Sequence, residues 1–276
     1  MAPVLLIDGD ALVSACGFSN EVRSYVVEVA TCAHADLRYL KEARAMATSL
    51  GLDDNSIFKK REAGPLANAV HGFSLAMNSL LEVFPSATEY ELYIGNGTAG
   101  RNFRYDIYPE YKANRLVEDK PLQYAEIVEY AVHNYGAQLV SFVEVDDVLS
   151  IRANKLSARG REFVVVGVDK DLLQIEGLHY RLHKKELVEV DQVSALRSFY
   201  TQVLTGDTSD NVPGLRGVGD VTAKRIIEAC EPTAKALYDR CLAEYLVRGK
   251  TESDMELSCE LLYLLRSDED GWKRPD

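Results

Sequence analysis

Acids at four places carry the strongest chemical signal in this chain of 276 residues. Asp8 ends the apolar run VLLID, and Glu144, Asp146 and Asp147 follow LVSFV. Asp169 and Asp171 follow VVVGV, and Asp207 and Asp210 lie in TGDTSDNVPGLRGVGD. One strand ending in an aspartate is commonplace, because aspartate caps the next helix. Three such strands are poorly explained by capping, and unpaired carboxylates crowded at one edge repel. Gathered acids need cations. An extended backbone puts Glu144 with Asp146, and Asp169 with Asp171, on common faces, while Asp147 opens a helix. A spacing of three brings Asp207 and Asp210 together on a helical turn. All are hard oxygen ligands suited to magnesium or manganese, and none of the five histidines falls among them. Taken singly, each group reads as a solvated turn; taken together, they read as a metal site.

The elements that would position these acids alternate. VLLID (4–8), ELYIGN (91–96), LVSFVEVDD (139–147) and REFVVVGVDKD (161–171) read as strands, and HYRLHKKELVEV (179–190) as a hairpin or edge strand. LANAVHGFSLAMNSLLEVF and PLQYAEIVEYAVHNYG read as helices, the whole stretch from about 26 to 84 is mostly helical in pattern, and so is everything after about 191. Strands alternating with helices predict an α/β fold, a mainly parallel sheet with helices on both faces, whose ligands lie beyond the carboxyl ends of the strands. The acids fall at that edge.

Composition narrows the class. No apolar run reaches the eighteen or more residues of a membrane span, and MAPVLLIDGDALV carries two aspartates where a secretory signal would be apolar. Five scattered cysteines without a CxxC pair predict free thiols in a reducing, cytoplasmic setting and exclude a thiolate zinc site. The formal net charge of −12 at first opposes a nucleic-acid ligand, but a carboxylate cluster neutralised by divalent ions would account for part of it. Trp272, in a polar tail, reads as a packing anchor.

The motifs in their order resemble the 5′-nuclease superfamily, the flap endonucleases and 5′→3′ exonucleases, especially phage-type members. LLIDGD, FRYDIYPEYKANR (103–115), VEVDD (143–147), GVDKD (167–171) and TGDTSDNVPGLRGVGDVTAKRI (205–226) carry the resemblance. It implies a PIN-like nuclease core over 1–190, with an extra helical segment at about 26–65, and a helix–hairpin–helix DNA-binding region over 191–276. It also implies two Mg2+ or Mn2+ ions that hydrolyse DNA phosphodiester bonds by in-line displacement, in phage DNA replication in the host cytosol. The substrate would be DNA with a 5′ end, a flap or a single-strand junction. Asp8, Glu144, Asp146, Asp147, Asp169, Asp171, Asp207 and Asp210 match the family's metal ligands. Lys112 and Arg115 match residues that contact the scissile phosphate, and Tyr111 would stack on a base. Arg101 and Arg104 would hold the backbone. Arg216, Gly217, Gly219, Lys224 and Arg225 would hold duplex phosphates at the hairpin, where relatives often carry potassium.

Two departures follow. Asn96 stands in the slot of a family aspartate, with Asp10 as a candidate to compensate. The 29 residues from Arg115 to Glu144 leave little chain for an arch that threads a 5′ strand. Two rival readings remain at this level. In a phosphatase of the haloacid-dehalogenase type, Asp8 would be the nucleophile and Asp10 the acid/base. A nuclease relative impaired at Asn96 would bind DNA structures without cutting them.

Overall fold

The computed structural model describes residues 2–29, 32–33, 37–96, 102–115 and 120–276. By its contacts the chain forms two compact units. One comprises Met1–Ala11, Leu81–Asp119 and Val132–Asp276, the other Leu12–Leu80 and Lys120–Ala131. This cut differs from a boundary near 190, because the C-terminal helices belong to the same unit as the central sheet.

The first unit is built on β1 (Val4–Asp8), whose five residues are all buried. A strand enclosed on both faces reads as a continuous apolar run, as VLLID does. Helix α1 (Gly9–Ser19) leads out of this unit towards β2 (Glu21–Val29), β3 (Cys32–Ala33), α2 (Leu40–Ser49), β4 (Ile57–Ala63) and α3 (Leu66–Val83). The chain then returns to the first unit as β5 (Glu89–Gly95) and the short α4 (Arg104–Ile107), and re-enters the second for most of α5 (Tyr124–Tyr135). It continues in the first as β6 (Gln138–Val140), α6 (Val145–Ser157), β7 (Phe163–Gly167), β8 (Gly177–Arg181) and β9 (Glu186–Val190). The sheet order is β6-β5-β1-β7-β8-β9, parallel throughout except for the antiparallel β8–β9 pair. The chain fills one side of β1 with β5 and β6, then crosses to the other with β7. That reversal opens a crevice at the carboxyl ends of β1, β5 and β7. The α/β class and the hairpin at 179–190 are as the pattern predicts.

Helix α6 lies on the sheet through Val145, Leu149, Ala153 and Leu156, at helical spacing, against Val4, Leu6, Tyr93 and Val165. Arg152 of α6 grips Glu91 of β5 with two bonds of 2.7 and 2.6 Å. Beyond β9 run α7 (Gln192–Thr205), α8 (Asp220–Glu228), α9 (Ala234–Val247) and α10 (Glu252–Leu262). They share a core that includes Phe199, Val203, Ile227, Leu237, Cys241 and Met255. Trp272 stacks on Tyr238, ring centroids 6.2 Å apart, so the tail is anchored as expected.

The stretch between α7 and α8 is a small hairpin, β10 (Gly206–Asp207) paired with β11 (Val212–Pro213). Gly206 adopts φ +67°, and a Cβ there would lie 2.2 Å from Gly214 N. A Cβ on Gly214 would lie 1.9 Å from Thr205 O. Two of the motif's glycines thus exist so that backbone can touch backbone.

The second unit corrects the expected helical segment at about 26–65. β2 and β4 form a seven-pair antiparallel ribbon from Glu21↔Ala63 to Val27↔Ile57, with β3 beyond β2 and, among the described residues, α2 and a short 3-10 turn (Asp54–Ser56) before β4. Val27 packs with Ala43 and Ala47 of α2 and with Tyr25 and Ile57. β-Branched residues of EVRSYVVEV favour a pleated surface once IFKKREA, some thirty residues on, supplies the partner edge. At the base of the ribbon Arg61 binds Glu21 through Nε (2.9 Å) and Nη2 (2.7 Å), and Leu122 N donates to Glu21 Oε1.

Gly214→Ala must push two backbone segments apart and is expected to lower stability by at least about 2 kcal/mol. Gly219→Ala, extended with open space around it, should fall within about 0.5 kcal/mol of the parent. Urea midpoints at constant slope compare the two; equal midpoints would contradict the close hairpin packing.

Candidate metal and phosphate site

Asp8 is the last residue of β1 and is 6% exposed, with Oδ1 accepting from Ala11 N (3.3 Å) at the head of α1. Asp169 stands two residues beyond β7 and accepts from Asp171 N (2.9 Å). Asp171 opens a 3-10 turn, Asp171–Gln174. Asp146 is the second residue of α6. Burial pushes the Asp8 carboxyl up to about 7, with Asp10 and Asp169 adding to it. Burial and then Asp169 push Asp171 up to about 8. Asp146 is raised well above the carboxylate range by burial, then by Asp8 and Asp169. Asp8, Asp146, Asp169 and Asp171 therefore share one electrostatic neighbourhood. Among the described residues none of the four is ion-paired, and no three His, Cys, Asp or Glu side chains stand close enough to hold an ion as placed. The donors are all carboxylate oxygens that repel one another, which fits a hard divalent cation and not a soft one.

Glu144 and Asp146 do not alternate along a strand as predicted, because β6 ends at Val140, Glu144 caps α6 and Asp146 and Asp147 both fall in its first turn. Residues 146 and 147 on a helix point about 100° apart. Asp146 faces the crevice, while Asp147 turns into the core and is fully buried. There it meets Arg104, 1% exposed, in a bidentate pair of 2.6 and 2.9 Å. Arg104 also donates to Leu261 O and Tyr263 O (2.8 Å each), and Leu265 N donates to Asp147 Oδ1 (3.1 Å). Two expectations are corrected in their geometry: Asp147 faces Arg104 in the core instead of the crevice, and Arg104 is buried against Asp147 instead of standing exposed at the surface. Arg101 lies outside the described residues.

Tyr111 is also redirected. At 2% exposure it has no face free for a base, and its ring packs edge-on to Tyr105. Its hydroxyl donates to Asp210 Oδ2 (2.8 Å) and reaches Glu144 Oε1 and Oε2 at 3.2 and 3.3 Å. Burial, with these two carboxylates beside it, keeps the phenol far above its usual range. Asn102 Nδ2 donates to Glu144 Oε1 at 2.6 Å. Lys112, at the strained positive φ of 55°, sets its ammonium on Glu144 and 3.4 Å from Asp210. Arg115 pairs with the same Asp210. Burial favours the neutral Asp210 acid, but Lys112 and Arg115 outweigh it and hold the carboxyl below its usual range. Asp207 does not share a helical face with Asp210. It fastens the hairpin turn through Ser209 N (2.7 Å) and Ser209 Oγ (2.6 Å).

Asn96 follows β5, its N bonded to Val140 O (2.8 Å) and its Nδ2 3.4 Å from Ser141 Oγ. Asp10 accepts from Gly95 N at 3.0 Å. At the hairpin before α8, Gly217 takes φ +80°, whereas Gly219 is extended and caps the helix. Arg216, Lys224 and Arg225 are exposed. Cys16, Cys230, Cys241 and Cys259 are free thiols; the Cys32 side chain and His34 lie outside the described residues. Among the described residues no helix is long and apolar enough to cross a membrane.

A family model described as the 5′–3′ exonuclease N-terminal resolvase-like domain matches residues 52–205, more than half of the chain. The chain belongs to this family, within the 5′-nuclease superfamily that its motifs resemble, and the phosphatase reading is set aside. It is 29% identical over 224 residues to a 5′–3′ exonuclease of Bacillus subtilis, covering 74% of each chain. It is 33% identical over 183 residues to the thermostable DNA polymerase I of Thermus aquaticus, covering 60% of this chain and 21% of the polymerase. The chain thus spans about a fifth of that relative's length. Among solved structures, the bacteriophage T5 flap endonuclease in a pseudo-enzyme–product complex with DNA and metal ions superposes with a TM-score of 0.61. At 16% identity it covers 96% of this chain and 89% of that one, a likeness of fold.

Arg104→Met leaves a buried, unpaired Asp147 and is expected to destabilise by about 3–5 kcal/mol, most of which Arg104→Met with Asp147→Leu should recover. Urea unfolding measures both. A single variant with parental stability and only weakened DNA binding would return Arg104 to a DNA-contact role.

Proposed function

We propose that the protein hydrolyses phosphodiester bonds of DNA at or near 5′ ends, as a 5′–3′ exonuclease, a structure-specific flap endonuclease or both, with two divalent ions, Mg2+ or Mn2+. The observation that carries this reading is the set Asp8, Asp146, Asp169 and Asp171, gathered from the end of β1, the first turn of α6 and the segment after β7. Burial and then the neighbouring carboxylates raise Asp8, Asp146 and Asp171, and Lys112 and Arg115 line the crevice beside Asp146, Asp169 and Asp171. The names of the Bacillus subtilis relative and the T5 complex point the same way.

Asp8, Asp146, Asp169 and Asp171 would hold one cluster of positive charge, with Asn96 beside it through its amide oxygen. Glu144, Asp207 and Asp210 would serve a second position. Bound divalent ions supply Lewis acidity and charge neutralisation to an in-line displacement at phosphorus. The chain's own part is positioning. Lys112 and Arg115, now held by Glu144 and Asp210, are placed to transfer to a phosphate that brings a stronger negative charge, leaving those carboxylates open. Fixed donors at the place where charge develops lower the barrier without reorganisation at the moment of reaction.

Binding would come from elsewhere in the same unit. The exposed backbone at Gly217 and Gly219, the head of α8, and Arg216, Lys224 and Arg225 suit duplex phosphates, with K+ a candidate at the turn. Groups that hold phosphates carry no sequence information, which suits recognition of a DNA structure more than a sequence.

Magnesium-dependent release of product from 5′-labelled DNA is the decisive assay. Asp146→Ala should lower the rate at least about a hundredfold, about 2.7 kcal/mol of barrier, with duplex binding retained. Full activity in excess chelator, or a parental rate for Asp146→Ala, would overturn the reading.

A further inference from the structure

Two buried amides stand behind Asp171. Gln174, 8% exposed, ends the 3-10 turn that Asp171 begins, and Gln202, 5% exposed, lies on α7. Gln174 Nε2 donates to Leu262 O at the end of α10 (2.8 Å) and to Gln202 Oε1 (2.6 Å), and Leu264 N approaches Gln174 Oε1 at 3.4 Å. Gln202 Nε2 in turn donates to Asp171 Oδ1.

The directions in this chain are forced. A backbone carbonyl only accepts, so Leu262 O requires the NH2 end of Gln174, and Leu264 N requires its oxygen. The second proton of the Gln174 amide then claims the Gln202 oxygen, which leaves the Gln202 NH2 facing Asp171. Both amides are satisfied inside the protein, as buried polar groups must be.

We propose that Gln202, oriented by Gln174 and the Leu262 carbonyl, is a positioning residue that turns the Asp171 carboxylate towards a divalent ion. The inference rests on the metal-dependent reading above. The chemistry of the partner matters. Glu144 and Asp210 are held by Lys112 and Arg115, whose charges compete with a metal ion. A neutral amide fixes one carboxylate oxygen and cancels none of its charge, so the second oxygen keeps its full attraction for a cation. Asp171 could otherwise rotate about its last side-chain bond, and each ligand left to rotate adds an ordering cost to ion binding. Groups that orient metal ligands in this way are worth about 10–100-fold in affinity.

Mn2+ titration of the full chain by calorimetry, without DNA, tests this beside the Mg2+ dependence of 5′-end cleavage. Gln202→Met keeps the side chain's length and removes its donor. It is expected to weaken Mn2+ binding about tenfold or more and to raise the half-saturating Mg2+ concentration in proportion. KM for DNA at saturating metal should stay at the parental value, which a general loosening of the site would not allow. Gln174→Met should shift both readouts in the same direction by less. A folded Gln202→Met with parental Mn2+ affinity overturns the proposal, as does a change confined to KM for DNA. Should Gln202→Met not fold, parental affinity in Gln174→Met overturns it instead. A parent protein that neither binds Mn2+ nor cleaves DNA would refute the functional reading itself, a different outcome from a parent that does both while the variants match it.

Discussion

Repulsion among carboxylates held in one crevice is the constraint around which this protein is organised. Asp8, Asp146, Asp169 and Asp171 come from β1, α6 and the loop after β7, and the reversal of strand order across β1 brings them together. Burial there costs each carboxylate its charged form first, neighbouring carboxylates add to that cost, and together they raise Asp8 to about 7 and Asp171 to about 8. A fold keeps such an arrangement only if the rest of the structure enforces it.

The enforcement divides the eight acids into two kinds. Asp147 is bound to Arg104 in the core, and that pair also fastens the chain leaving α10 through Leu261, Tyr263 and Leu265. Glu144 and Asp210 are bridged by Tyr111 and covered by Lys112 and Arg115. Asp207 ties its own turn. Against this compensated frame, Asp8, Asp146, Asp169 and Asp171 are held without an ion pair among the described residues. The end of α10 and the segment just past it touch both parts: Leu265 N binds Asp147, and Leu262 O sets the amides behind Asp171. The C-terminal helices are therefore part of the scaffold of these acids, and they fall in the same compact unit as the central sheet.

Much of this was legible in the residues. Continuous apolar runs ending in acids located β1 and β7, and the order of motifs located the family. The failures have local causes. VEVDD looks extended, but the helix begins at Val145, so adjacent aspartates diverge and one becomes a core counter-charge. Arg104 and Tyr111 sit in a motif rich in charge and aromatics, where exposure is the natural expectation; only tertiary packing buries them. EVRSYVVEV carries an apolar run that suits a helix or a strand, and its partner IFKKREA is too distant in sequence for a local pattern to reveal. Gln174 and Gln202 gave no signal, because an amide's role depends on what it faces.

The most direct test of the central constraint is thermal stability in the absence of DNA. In chelator, Asp8 and Asp171 bind protons more tightly folded than unfolded, so their contribution to stability is present at low pH and is lost as pH rises through about 7 and 8. The melting temperature should fall between pH 6.5 and 8.5. Mg2+ or Mn2+ at about a hundred times its dissociation constant should restore about 2.7 kcal/mol and flatten that fall. A melting temperature at pH 8.5 that is indifferent to both ions would contradict the account.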